Sequence, residues 1–178
     1  CKQCKALGQR PGSVRKYVDP MIQRRPGYEF AADLLTVSTP SAAGSNYALI
    51  CRCTSSAFYM PPMFLEFKWQ ATRAMEQCII ALRSNPEYQD LGYPICRRLL
   101  CDHGGEFTGR KFKDMARELQ FTIIHNSPET KLGAAHQEVA VKALTNMTKS
   151  IMLENCLPTD MWEEAMCSAA NISNLCVT

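Results

Sequence analysis

No apolar run in this chain approaches the roughly 18 residues that a membrane-spanning helix needs, which excludes a helical membrane anchor within it. The N-terminus, Cys1-Lys2-Gln3-Cys4, has neither an initiator methionine nor a signal-peptide pattern, so the sequence is expected to be cut from a longer protein. Internal repeats are absent. Histidine is scarce, and His103, His125 and His136 all lie far from the Cys1-x2-Cys4 pair. No second cysteine pair lies near it either. Two thiolates at this spacing are half of a tetrahedral zinc pattern. By itself the pair fits a site whose other ligands lie upstream, and it fits two ordinary cysteines equally well. Net charge is low, +3 at neutral pH. It permits nucleic-acid binding without arguing for it.

Hydrophobic residues, by contrast, make up 46% of the 178-residue chain. That is enough for a sizeable core and excludes disorder of the whole. The length suits one domain with a short appendage. The ten cysteines are scattered through apolar and helical segments rather than set out as a disulfide framework. They read as reduced core thiols of an intracellular protein. Basic residues cluster in two places. Arg10, Arg15, Lys16, Arg24 and Arg25 crowd residues 1–27, whose prolines and glycines mark a linker or arm. Arg97, Arg98, Arg110, Lys111 and Lys113 flank the stretch Leu99-Leu100-Cys101-Asp102-His103-Gly104-Gly105-Glu106-Phe107.

That stretch organises the chain. An apolar strand ends on a carboxylate and a glycine turn follows, which sets Asp102 at a strand's C-terminal end, where open α/β sheets handle ligands. Upstream, strands are expected over residues 28–37, 47–53 and 57–60, with short links that suggest an antiparallel meander. Helical spacing over 68–83 puts Trp69, Thr72, Met75, Ile79 and Leu82 on one face. Trp69 and Trp162 are both expected in the core. The strand 95–101 leads to Asp102, a helix to 108–119, and a short strand to 121–125. Residues 126–133 read as a loop. A long helix from about Ala135 to Asn155 follows, with Ala140, Leu144, Met147 and Ile151 inward and Lys142 and Lys149 on the far side. Leu157-Pro158 ends it. Thr159 is the expected cap of the last helix. The sum is an α/β fold: a mixed five-stranded sheet, three antiparallel strands and then β-α-β, flanked by helices.

In this order of elements the first strand and the Asp102 strand are neighbours at the sheet centre, so Asp33 stands beside Asp102. Glu138 begins the long helix and can reach the same end. Alone, each has an ordinary reading: Glu138 as a helix-surface residue paired with Lys142, Asp33 as an exposed strand residue, Glu106 as a charge favoured at a helix start. Together, three carboxylates repel unless cations lie among them. Hard divalent ions suit such oxygens, and two of them can stabilise both the attacking and leaving oxygens of a phosphoryl displacement.

Thirty-five residues separate Asp102 from Glu138, which is the D,D-35-E spacing of retroviral and retrotransposon integrases. The wider text resembles the copia-type branch. Cys101-Asp102-His103-Gly104-Gly105-Glu106-Phe107 is similar to its S-D-N-G-G-E-F, and Ser127-Pro128-x-Thr130 to its S-P-x-T. Leu157-Pro158-x-x-Met161-Trp162-x-Glu164-Ala165 is similar to its L-P-x-x-x-W-x-E-A. The chain departs from that pattern at four places. Lys131-Leu132-Gly133-Ala134-Ala135 stands where the family reads P-Q-x-N-G. Val139 replaces an arginine after the glutamate, His103 an asparagine, and Leu34-Leu35 a frequent Gly-Pro.

The resemblance implies a ribonuclease H-like catalytic core over residues 28–178. Residues 1–27 would be the tail of a zinc module and a basic linker, with Cys1 and Cys4 as a partial zinc site. It implies that Asp33, Asp102 and Glu138 hold two Mg²⁺ or Mn²⁺ ions. Water or the 3′-hydroxyl of the element's DNA end then attacks a phosphodiester, with no covalent protein intermediate. It further implies that Lys131, Lys142 and Lys149 touch DNA. The partners would be element-end and target DNA and further copies of the chain, with no membrane and no small-molecule cofactor. The work would be done in the nucleus. Two rivals are a decayed or domesticated copy that binds DNA or protein without catalysis, and a hydrolytic nuclease of the ribonuclease H type.

Overall fold

The computed structural model describes residues 25–86, 91–125 and 131–176, with the backbone alone over 131–137. Cys1 and Cys4 of the expected partial zinc site, nearly all of the expected basic arm and the S-P-x-T segment fall outside these residues.

Strand β1 (Glu29–Thr36) and strand β2 (Tyr47–Cys53) pair antiparallel, Asp33 facing Ile50. Strand β3 is only Met63–Leu65, antiparallel to β2. The strand expected over 57–60 is thus displaced. Tyr59 keeps a single bridge to Arg52, and Pro61-Pro62 then interrupts the ladder, because neither residue has an N–H to donate. Pairing resumes at Met63 in a register one residue out of step. Strand β4 (Arg98–Cys101) runs parallel to β1, and strand β5 (Thr122–His125) parallel to β4. The sheet order is β3-β2-β1-β4-β5, the mixed five-stranded sheet the sequence predicts. β4 begins three residues later than expected because Cys96 adopts φ +49°, a left-handed conformation no strand continues through.

Helix α1 (Ala71–Ser84) buries Ala71, Met75 and Ile79 at every fourth residue. Trp69 does not join them. It sits in a 3₁₀ turn, Lys68–Gln70, ahead of the helix, is 74% exposed, and stacks on Phe67. The tighter turn, three residues per cycle instead of 3.6, takes Trp69 off the buried stripe. Gly109, in an extended conformation, splits the next helix into α2 (Gly105–Thr108) and α3 (Arg110–Glu118), whose Phe112, Met115 and Ala116 are buried. Helix α4 runs from Lys131 to Glu154 and helix α5 from Trp162 to Leu175. The cap of α5 is Met161, not Thr159. Thr159 and Asp160 belong instead to a turn closed by the Met161 N–H donating to the Pro158 carbonyl. That turn is anchored by the Ala42 N–H donating to the Asp160 carbonyl. Trp162 is buried, and its indole N–H donates to the Thr39 carbonyl at 3.0 Å.

Side-chain alternation splits the core into two layers. Phe30, Ala32, Leu49 and Cys51 face α1 and α3, while Ala48 and Ile50 face α4 and α5, with Leu35 packed against that second layer. Asp33 shares the parity of Leu35, so it belongs to the α4–α5 side. All eight described cysteines are free. Burial pushes the thiols of Cys78 up to about 11 and of Cys96 and Cys101 up to about 12, so they stay protonated and inert, as core thiols do. No described helix is long and apolar enough to cross a membrane.

Candidate active site

The parallel pairing of β1 with β4 builds the site. Glu29 faces Arg98, Phe30 faces Leu99 and Ala31 faces Leu100. The same register carried two residues further sets Asp102 beside Asp33. The flanking sequence explains why Asp102 stands at the end of its strand, beside Asp33 within β1. Leu99 and Cys101 are fully buried and hold β4 in the sheet, whereas Asp102 is exposed where the ladder stops.

The two carboxylates are differently placed. Asp102 Oδ1 accepts the Gly104 N–H at 3.0 Å, closing a tight Asx-type turn. Asp33 is half-buried, and its Oδ1 accepts the Leu34 N–H at 2.8 Å. Burial raises the Asp33 carboxyl above its ordinary value, the Leu34 N–H opposes that, and the charges of Asp102 and Glu106 add to the rise. The repulsion expected between Asp33 and Asp102 is therefore present, and a third acid takes part in it.

That third acid is Glu106. Its carboxylate folds back over Gly104. A Cβ added at Gly104 would stand 2.9 Å from Glu106 Oε2 and 3.0 Å from Asp102 Oδ1. Gly104 has ordinary φ and ψ (−56°, 146°), so it leaves room rather than relieving backbone strain. The sequence offered a signal for Glu106 in its position at the mouth of the Gly104-Gly105 turn, though a helix-start charge explains it equally well. Gly104→Ala is expected to fold with a stability change below roughly 1 kcal/mol, since the displaced atoms are ends of mobile side chains. It should swing Glu106 away and, by thinning the negative charge, weaken whatever cation affinity the site has. Thermal melts with and without Mg²⁺ would check both halves.

Glu138 lies on α4 and is exposed. Two residues on, Ala140 is buried, and its carbonyl accepts the Tyr59 hydroxyl at 2.9 Å. This bond ties the start of the long helix to the sheet. Tyr59→Phe is expected to cost about 1 kcal/mol and to loosen exchange protection in α4 more than in α1. The charges that raise Asp33 come from Asp102 and Glu106, and Glu138 is not among them. Among the described residues, no three His, Cys, Asp or Glu side chains come close enough together to hold a metal ion. The donor chemistry of Asp33 and Asp102 fits a hard divalent cation, with oxygen ligands already in mutual repulsion. The structure brings these two together and leaves Glu138 apart from them.

Helix α4 starts at Lys131, within the expected loop, rather than near Ala135. The residue types account for this. Where the copia-type pattern has proline and an Asn-Gly pair, this chain has Lys131, Ala134 and Ala135, which favour helix, so only Gly133 weakens the added turn. Lys142 and Lys149 are exposed on the same helix; Lys131 is its first residue, with its side chain outside the description.

At the same strand ends, two histidines meet. Cys101 pairs with His125 across β4 and β5. His125 Nδ1 lies 3.0 Å from the Asp102 carbonyl oxygen. A carbonyl only accepts, so Nδ1 carries the proton. The His103 ring stacks on His125, centroids 4.8 Å apart and planes 22° from parallel. Their proximity is not legible in the sequence, because it follows only from the β4–β5 register.

No protein-family model matches the sequence, and neither does any curated protein. Among solved structures, the chain is similar to the catalytic core domain of BIV integrase, with a TM-score of 0.57 and 16% identity over 83% of this chain and 82% of that one. At that identity the likeness is one of fold: the mixed sheet and its flanking helices are the ribonuclease H-like arrangement of an integrase catalytic core.

Proposed function

We propose that this chain is the catalytic core of a copia-type retrotransposon integrase, which joins element-end DNA to target DNA by phosphodiester transfer. One observation carries the reading: the parallel register sets Asp33, within β1, beside Asp102 just past the end of β4, and the Asp102 charge helps to raise the Asp33 carboxyl. The likeness of fold to an integrase core supports it. In this reading Asp33 and Asp102 hold Mg²⁺ or Mn²⁺, and Glu138 completes the set as DNA engages α4. Bound there, two such ions stabilise the attacking and leaving oxygens of an in-line displacement. The chain's own residues orient and neutralise. Lys131, Lys142 and Lys149 run along the helix that bears Glu138 and contact phosphates, so binding weakens with salt. Cys1 and Cys4 complete a zinc module only in a longer chain. The chain acts as a multimer on paired DNA ends in the nucleus.

A second reading, a copy that binds DNA without catalysis, is favoured by the helical start of α4, where the family pattern has a loop. One assay separates them. The protein is incubated with element-end duplex, target DNA and Mg²⁺ or Mn²⁺, alongside Asp102→Asn. Joined products from the native chain alone support the integrase. Cleavage without joining points to a hydrolytic nuclease. Equal binding with no reaction from either protein leaves the second reading.

A further inference from the structure

The stacked histidines are left over by the chemistry above, and their arrangement is specific. Of the two rings, His125 is the inner one. It is half-buried, at the end of β5, and its plane is set by the bond from Nδ1 to the Asp102 carbonyl, with Cys101 Sγ 3.7 Å from the same nitrogen. His103 is the outer ring and is exposed, and it directly follows Asp102 in sequence. One face of His103 is covered by His125. Among the described residues no other ring stacks on it. An aromatic pair exposed in both members, Phe67 and Trp69, follows β3 at the opposite edge of the sheet.

From this geometry we infer that His103, backed by His125, is a stacking platform for one unpaired nucleobase of the DNA whose phosphate would meet the cation held by Asp33 and Asp102. The inference rests on the DNA-joining reading and adds a specificity-determining residue to it. Planar stacking on an aromatic ring suits any base, because every base offers a π-face. A base inside a duplex has both faces occupied, so only an unpaired or extruded base can use the platform. A backing ring fixed by a hydrogen bond keeps the platform's tilt from being lost on binding, which lowers the ordering cost. The position is also restrictive. A ring one residue from Asp102 reaches only bases next to the phosphate that meets that cation. DNA with a short unpaired overhang at that end should therefore be preferred over blunt DNA.

The test uses the 178-residue chain at low salt with Ca²⁺, a hard cation that carboxylates can hold, and gels run beside the binding curves check that the DNA stays intact. The probes are two fluorescein-labelled duplexes of equal paired length, one blunt and one with a two-nucleotide 5′ overhang carrying 2-aminopurine. Anisotropy reads binding, and 2-aminopurine quenching reads stacking. The native protein is expected to prefer the overhang duplex by about tenfold or more and to quench it. His103→Ala should lose both the preference and the quenching while still binding blunt DNA. His103→Phe and His103→Trp should restore them, since stacking needs a ring and not an imidazole. Quenching that survives His103→Ala, or a His103→Phe protein that behaves like His103→Ala, overturns the platform. Native protein that binds without quenching also overturns it and leaves the DNA-joining reading standing. Failure to bind either duplex removes both.

Discussion

Asp102→Asn is expected to lower any phosphodiester activity by roughly a thousandfold, because several kcal/mol of transition-state charge stabilisation depend on the ligand it removes. The same change should leave the fold untouched. Asp102 is exposed, and its Oδ1 accepts the Gly104 N–H, a bond that asparagine keeps. Stability is therefore expected to move by no more than about 0.5 kcal/mol. Loss of activity with an unchanged melting curve separates a role in chemistry from a role in folding. Loss of both would mean that the turn, not the charge, was disrupted.

Asp33→Asn should also abolish activity, but with the opposite sign on stability. Burial is the main reason its carboxyl is raised, and the charges of Asp102 and Glu106 push the same way against the Leu34 N–H. A carboxyl whose folded value lies above its unfolded value favours the fold most when protonated. Its contribution is complete below the unfolded value and is lost as pH rises through the folded one. At neutral pH the ionised Asp33 therefore costs stability, and asparagine removes that cost. The position is only half-buried, so solvent screening keeps the gain near or below roughly 1 kcal/mol, a rise of at most about 2–4 °C in melting temperature for a chain of this size. The variant should also flatten the stability gain the native protein shows on acidification through the window just above the ordinary carboxylate range. Melting curves of both proteins between pH 4 and pH 8 (chosen to bracket that window, about) would show it. In the proposed reading, that cost to the fold is what charges placed for function would carry.

The two predictions rest on the part of the molecule that the sequence made most legible. β2 falls on its expected residues because Tyr47–Cys53 is an uninterrupted β-rich run. Asp102 falls at a strand end because buried Leu99 and Cys101 precede it and the Gly104-Gly105 turn follows. Asp33 beside Asp102 follows from chain order alone, since a β-α-β unit after a meander sets β4 against β1. The features that were not legible share a cause: each is decided by a local interruption or by register. Pro61-Pro62 moved β3, a 3₁₀ turn turned Trp69 outward, and φ +49° at Cys96 shortened β4. The turn that carries α4 back to Lys131 reflects helix-favouring residues where the family pattern has breakers. Glu106 and the His103–His125 stack depend on which strand ends meet in three dimensions, and no spacing along the chain announces that.

Mn²⁺ binding measured by calorimetry on the native chain and on the Asp33→Asn and Asp102→Asn proteins tests most directly whether Asp33 and Asp102 share a divalent cation. Binding by the native protein that is lost in each variant is the predicted result. Binding of equal strength in all three proteins, or none in any of them, would contradict it.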